Sequence, residues 1–323
     1  MDRLESDFEC RFAGLPSNGS LLVWEITNKC NLRCAHCCNS SNPYVNTDIE
    51  VSFDTIKKVI GQFKENKIVQ VYFSGGEPLC RNDFLDILKL IDTDFTDVYI
   101  ASNGTLLEND VNIKAFKEIN FKAISISLDS HISTINDHLR NYQGAFQRTV
   151  NGIKKCVNEG ITVRLSTMIL PSNVDLLEEQ LRFFVNLGVV NITLRTIFPV
   201  GRAKENREFI VDINAKFSYL INIIDSLNKE FPNVNIEHNL FENIIAKESK
   251  VCICYGGDNL IHIDSKGFTS SCSWLYKIDK NKFNGGNIND NTLESCFKKI
   301  KDVMTTLKTE YKGCPLEELT TNL

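Results

Sequence analysis

Residues 21–37 read LLVWEITNKCNLRCAHC, an apolar β-branched run that leads straight into Cys30, Cys34 and Cys37 at the spacing C-x3-C-x2-C. Thiolates are soft ligands that select zinc, copper(I) or iron–sulfur clusters. A compact trio in one loop suits a 4Fe–4S cube in which three irons take protein ligands and the fourth stays open to a small molecule. A cluster that only carries electrons is normally closed by four cysteines, so an open iron marks a site for chemistry. The competing reading is a zinc site completed by His36 or Cys38. Zinc sites usually come as two paired knuckles a short distance apart, and the next cysteine here is Cys80.

Working outward, the chain alternates between strand-like and helical runs from about residue 20 to 200. Segments 21–27, 69–74, 97–102, 123–128, 161–169 and 189–197 are rich in Val, Ile and Thr, which predicts strands. Phe53, Ile56, Ile60 and Phe63 recur at helical spacing behind Ser52, a good N-cap. Ser172 with Asp175 reads as a capping box. Gly160 and Gly188 read as helix stops, the first after a helix near 145–159. A further helix is expected near 212–229, then a strand around 234–236. Repeated β/α units imply parallel strands with right-handed crossovers and outer helices. The fold class is therefore α/β, a partial six-stranded (β/α)6 barrel, and the cysteine-bearing end of the chain reads as a small C-terminal metal-binding extension. The domain reading is an N-terminal segment over 1–19, the barrel over 20–200, a helical connection over 201–251 and the extension over 252–323.

In barrels of this kind the chemistry sits in loops after the C-terminal strand ends. The cysteine trio, Gly75-Gly76-Glu77-Pro78, Ser102-Asn103 and Asp129 all end or follow a predicted strand, so they are expected on one rim. The trio, its preceding strand and the Gly-Gly-Glu-Pro run resemble the radical S-adenosylmethionine (radical SAM) superfamily. That resemblance implies a 4Fe–4S cluster on Cys30, Cys34 and Cys37, with S-adenosylmethionine bound to the open iron. One electron then cleaves the cofactor, and the resulting 5′-deoxyadenosyl radical takes hydrogen from substrate. It further implies that Gly75, Gly76 and Glu77 meet the methionyl group, and that His36 packs near adenine. By the same likeness Ser102 and Asn103 face the ribose, Ser127 and Asp129 contact ribose or carboxylate, and Arg140 binds the carboxylate. No catalytic acid or base is named by the sequence.

After residue 252 the chain changes character. Cys254 and Cys272 enclose C-x12-G-x4-C, with Gly267 in the turn of an expected hairpin. This resembles the opening of the SPASM or shorter Twitch extension of peptide-modifying radical SAM enzymes, which holds auxiliary iron–sulfur clusters. A full SPASM region carries more cysteines than remain here, so one auxiliary 4Fe–4S cluster is expected, on Cys254, Cys272 and Cys314. The fourth position is left to Cys252, to Cys296 or to no protein ligand. Cys10, Cys38, Cys80 and Cys156 read as packing residues.

With 36 basic and 41 acidic residues the net charge is −5, which argues against a nucleic-acid substrate. No apolar run approaches the ~20 residues of a transmembrane helix, and the N-terminus lacks a signal-peptide pattern. A cytoplasmic protein with no membrane partner is the expectation, its 12 cysteines being ligands or redox groups rather than disulfides. The resemblance implies a ribosomally made peptide as substrate, modified by a cross-link, a thioether or oxidation. Only about twenty residues precede the first strand, which leaves recognition to the barrel, the extension or a second protein. A flavodoxin or ferredoxin is the expected electron donor. The alternatives are a peptide epimerase with Cys252 as hydrogen donor, a side-chain or small-molecule dehydrogenase, and an inactive cluster-bearing binding protein.

Overall fold

The structure, a computed structural model, describes residues 18–238, 256–311 and 314–316, together with Pro16, Cys254 and Leu319. In chain order the first elements are β1 (Ser20–Thr27), α1 (Phe53–Ile60), β2 (Ile68–Gly75), α2 (Phe84–Lys89), β3 (Asp97–Ser102), α3 (Asp110–Glu118) and β4 (Ala123–Ser127). Next come α4 (Ser133–Arg140), α5 (Ala145–Asn158), β5 (Val163–Met168), α6 (Leu177–Asn186), β6 (Asn191–Arg195), α7 (Ile213–Glu230) and β7 (Asn235–His238). The last are β8 (Leu260–Ile263), β9 (Phe268–Ser270), α8 (Ser273–Ile278), β10 (Gly286–Asn287) and α9 (Leu293–Glu310). The fold is α/β, with a parallel sheet followed by a C-terminal antiparallel extension.

The described residues form two compact units that do not follow chain order. The first holds those up to Cys30, Tyr44–Tyr99 and those from Cys254 onward; the second holds Asn31–Pro43 and the stretch from Ile100 to His238. Strand β3 is divided by the boundary between them.

In the first unit the strand order is β10-β9-β8-β1-β2. β1 runs parallel to β2, with Glu25 opposite Ser74, and parallel to β8, with Val23 opposite His262. β8 and β9 then close the antiparallel hairpin expected around Gly267, which sits at φ +89. Trp24 and Phe73 stack, and Phe73 meets Phe84 of α2 edge-on. That face of β1 and β2 carries the helices, so Glu25 and His262 point to the other side, as strand alternation requires. Ser52 caps α1 by accepting from the Thr55 N–H. The helix stops at Gly61, so the buried Phe63 packs from the turn beyond it.

The second unit has the parallel order β4-β5-β6-β7. Ser127 lies opposite Ser166, and Thr193 lies opposite both Ser166 and Glu237. Leu165, Leu177, Leu181 and Phe184 are fully buried between sheet and helix α6. Gly160 and Gly188 adopt positive φ just past α5 and α6, as helix stops should.

One expectation is extended and one corrected. The six expected strands form, and the parallel row runs beyond them because β7 extends it at β6 and β8 adds to β1. The β8–β1 pairing joins segments more than two hundred residues apart, which no local pattern encodes. Ser172 does not cap a helix: a 3-10 turn spans Val174–Leu176, and α6 begins only at Leu177. Asn173 occupies that corner instead, accepting from Leu170 N–H and donating to the Asp129 and Met168 carbonyls. Cys10 and Cys252 lie outside the described residues.

Candidate active site

The segment that enters the cysteine loop is built inside the first unit. Glu50 Oε1 accepts from Thr27 Oγ1 at 3.0 Å and from the Asn28 N–H at 2.6 Å. The N–H of Gly76 donates to Thr27 O, and that of Glu77 to Lys29 O. Both glycines are required by this approach. Gly75 has φ +127, and a Cβ there would stand 2.1 Å from Thr27 O; a Cβ on Gly76 would stand 2.1 Å from Lys29 O. The pair thus seats the end of β2 against the approach to Cys30, a role for the glycines that the resemblance did not supply. Glu77 is fully buried and its Oε1 caps the 3-10 turn Pro78–Cys80 through Leu79 N–H.

The rest of the loop is built inside the second unit. Ala35 N–H donates to Leu139 O at the end of α4. Asn103 Nδ2 donates to Asn31 Oδ1 at 2.9 Å, and Asn31 Nδ2 to Thr105 Oγ1 at 2.8 Å. Ser102 Oγ accepts from Gly104 N–H. Of the pair expected near the ribose, Asn103 is brought to the cysteine loop and braces it, while Ser102 holds the turn after β3. Ser127 is half-buried at the end of β4.

Three more expected residues meet one another. Asp129 Oδ2 lies 2.7 Å from Arg140 Nη2 and 3.3 Å from His36 Nε2, with all three side chains nearly out of solvent. Arg140 Nη1 lies 3.9 Å from Cys34 Sγ. Burial pushes the Asp129 carboxyl up, but the Arg140 charge, the His36 contact and the Met168 N–H outweigh it and hold the group well below the usual carboxylate range. Burial also raises the Cys34 thiol, and Arg140 opposes that rise. His36 Nδ1 is buried without a hydrogen-bond partner among the described residues. Its ring meets Phe209 edge-on at 6.2 Å.

These residues fit a cluster and its cofactor. Cys30 is buried and Cys34 and Cys37 are half-buried, a guanidinium stands ready to favour the Cys34 thiolate, and His36 Nδ1 offers an orphaned polar atom. Among the described residues no three His, Cys, Asp or Glu side chains are arranged to hold a single ion. A cube asks for one thiolate per iron, not for convergence on one ion.

A model of the Radical SAM superfamily matches residues 24–185. The chain belongs to the radical SAM superfamily. This radical SAM enzyme is 29% identical over 290 residues to the GTP 3',8-cyclase of Clostridium perfringens (strain SM101 / Type A), covering 85% of this chain and 87% of that protein. It is 26% identical over 286 residues to the antilisterial bacteriocin subtilosin biosynthesis protein AlbA of Bacillus subtilis (strain 168), covering 85% of this chain and 58% of AlbA. Its fold is similar to that of Streptococcus suis SuiB bound to precursor peptide SuiA, with TM-score 0.70, 17% identity, and coverage of 88% of this chain and 65% of SuiB.

The C-terminal cysteines of the enzyme belong to the first unit. Cys254, Cys272 and Cys314 are half-buried. A Cβ on Gly256 would stand 3.3 Å from Cys254 Sγ and 3.2 Å from Ser271 O, so Cys254 reaches the segment that carries Cys272. Cys272 itself immediately precedes α8 in extended backbone. Cys296 is fully buried on α9, and burial raises its thiol, which favours packing over ligation.

Sequence reasoning missed several residues. Glu25 Oε1 lies 2.7 Å from Lys277 Nζ and 3.3 Å from His262 Nε2, a second buried carboxylate of the same design. Arg202 and Asn206 hold carbonyls of the cysteine loop. Nothing local marks these side chains, because each acts across long sequence separation. No helix among the described residues is long and apolar enough to cross a membrane.

Proposed function

We propose that this radical SAM enzyme modifies a ribosomally synthesised peptide, installing a cross-link, a thioether or an oxidised residue. The observation that carries the reading is the cysteine-bearing extension, in which the β8–β9 hairpin brings Cys254 beside the segment of Cys272. Likeness in fold to SuiB and in sequence to AlbA supports it. Cys30, Cys34 and Cys37 would hold the 4Fe–4S cluster. Cys254, Cys272 and Cys314 would hold one auxiliary 4Fe–4S cluster. When bound, the cluster and S-adenosylmethionine supply reductive cleavage and a hydrogen-abstracting radical. The protein's part would be orientation: Glu77 and the backbone of Gly75 and Gly76 would receive the methionyl end, and His36, Ser102, Asn103 and Ser127 would frame the nucleoside. Arg140 would bind the cofactor carboxylate, with Asp129 holding the guanidinium. A flavodoxin or ferredoxin would supply the electron.

A second reading, a nucleotide substrate, is favoured by the likeness to the GTP cyclase over 87% of that protein's length. One experiment separates the two. Anaerobically reconstituted enzyme, S-adenosylmethionine and a strong reductant are incubated with the short peptide encoded beside its gene or with GTP. The peptide reading expects a product two hydrogens lighter than the substrate peptide and GTP unchanged. Consumption of GTP with an unaltered peptide mass overturns it.

A further inference from the structure

The loop that carries Cys34 and Cys37 is gripped by a segment just beyond β6 that no sequence motif marks. Arg202 Nε donates to Cys34 O at 2.7 Å, and its Nη2 donates to Ser41 O at 2.8 Å. The Arg202 N–H donates to Cys37 O at 3.0 Å, and Asn206 Nδ2 to Ala35 O at 3.3 Å. The segment approaches as closely as backbone allows: at Gly201, with φ +61, a Cβ would stand 2.3 Å from Cys38 O and 2.6 Å from Cys37 O. Four donors thus converge on carbonyls of both second-unit ligand cysteines and of two residues around them.

We infer that Arg202 is a positioning residue for the cluster, fixing the ligand loop and setting the cluster's reduction potential. A planar guanidinium offers a rigid fork of donors and a permanent charge, so it can span the Cys34 and Ser41 carbonyls, seven residues apart, in a way that a lysine cannot. Charge-assisted bonds of this kind are about twice as strong as neutral ones. Groups that orient ligands from behind are known to govern metal affinity, and nearby charge and hydrogen bonding tune iron–sulfur potentials. A cation held against the Cys34 peptide stabilises the more negative, reduced cluster. It acts through the loop, without touching the ligand sulfurs, and so differs from Arg140, which faces Cys34 Sγ.

The test uses the full-length, anaerobically reconstituted protein as wild type, Arg202→Lys and Arg202→Met. Two quantities are read: the rate at which a chelator removes iron, and the midpoint potential of the electron paramagnetic resonance signal that Cys34→Ala abolishes. Arg202→Met should lose that cluster's iron about ten-fold faster, as expected for an outer-shell partner, and shift its potential to more negative values. Arg202→Lys should keep the potential near wild type while still losing iron faster, because the charge remains and the fork does not. Wild-type chelator resistance and potential in Arg202→Met would overturn the assignment. Should that variant not fold, wild-type resistance in Arg202→Lys overturns it alone.

Discussion

Each compact unit buries one carboxylate between a cation and an imidazole, at matching distances. In the second unit Asp129 sits 2.7 Å from Arg140 and 3.3 Å from His36; in the first, Glu25 sits 2.7 Å from Lys277 and 3.3 Å from His262. The difference lies in what stands beside them. His36 lies within the cysteine motif, and the other arm of Arg140 reaches Cys34 Sγ, so charge network and ligand loop are one structure. Lys277 instead sits on α8, behind Cys272, and His262 spends its other nitrogen on Ser270 Oγ at 2.9 Å. That network supports α8, the element that follows Cys272. The comparison separates a site made by contact from one made by scaffolding.

The largest effect should come from the cysteines themselves. Replacing Cys30, Cys34 and Cys37 by Ala should abolish reductive cleavage of S-adenosylmethionine and remove about four of roughly eight irons, since each cube holds four. Cys272→Ala should cost auxiliary iron yet leave cofactor cleavage measurable by 5′-deoxyadenosine release. Equal loss of cleavage in both would erase the distinction.

Next in size is loss of the cation. Arg140→Met strands a fully buried carboxylate, and breaking such a pair costs about 3–5 kcal/mol. Lys277 is 19% exposed against 8% for Arg140, so Lys277→Met should cost less, on the order of 1–3 kcal/mol. Denaturant unfolding of the two variants gives the comparison directly, and a larger cost for Lys277→Met would reverse it.

A third effect is the dependence of stability on acid. Both carboxyls are held below their ordinary range despite burial, Asp129 by Arg140 and His36, Glu25 by Lys277 and His262. A carboxyl whose pKa falls on folding stabilises the native state above its unfolded pKa, and that contribution is lost as pH drops toward the folded one. Stability should therefore fall as pH drops through and below the ordinary carboxylate range. Asp129→Asn and Glu25→Gln should each flatten that slope in a titration of unfolding free energy. An unchanged slope in either would remove that carboxyl from the account.

The smallest effect tests the second arm. Arg140→Lys keeps a charge on Asp129 but gives up the reach to Cys34, at about 1 kcal/mol. The reverse exchange, Lys277→Arg, keeps the charge on Glu25 and should leave auxiliary iron content as in wild type. A rise in that content would mean that the first unit also builds its site by contact.

Much of this was legible in the chain. The strands of the β/α row announce themselves because β-branched runs and glycine stops are local signals, and the C-x3-C-x2-C and Gly-Gly-Glu-Pro runs lie in adjacent β/α units. Ser102, Asn103, Asp129, Arg140 and His36 could be named as a set, yet no local pattern hints that Asp129 binds both Arg140 and His36. The remaining errors share one cause. Ser172 satisfies a short-range pattern, but Asn173 wins the corner because it also bonds to Asp129 O, far away in sequence. His262, Lys277 and Arg202 carry no motif, since their partners lie on β1 or in the cysteine loop.

The glycine pair at the end of β2 has a consequence for anyone who would recombine this enzyme with its relatives. Because Gly75 and Gly76 leave no room for a side chain against Thr27 and Lys29, the lead-in to the cysteines and the end of β2 are cut to one another's outline. A chimera that imports a foreign cysteine loop while keeping the native residues 75–77, or the converse, joins two halves of different locks. The smallest exchangeable module on this side of the chain is the two segments taken together, with Glu50 as the pin that travels with them.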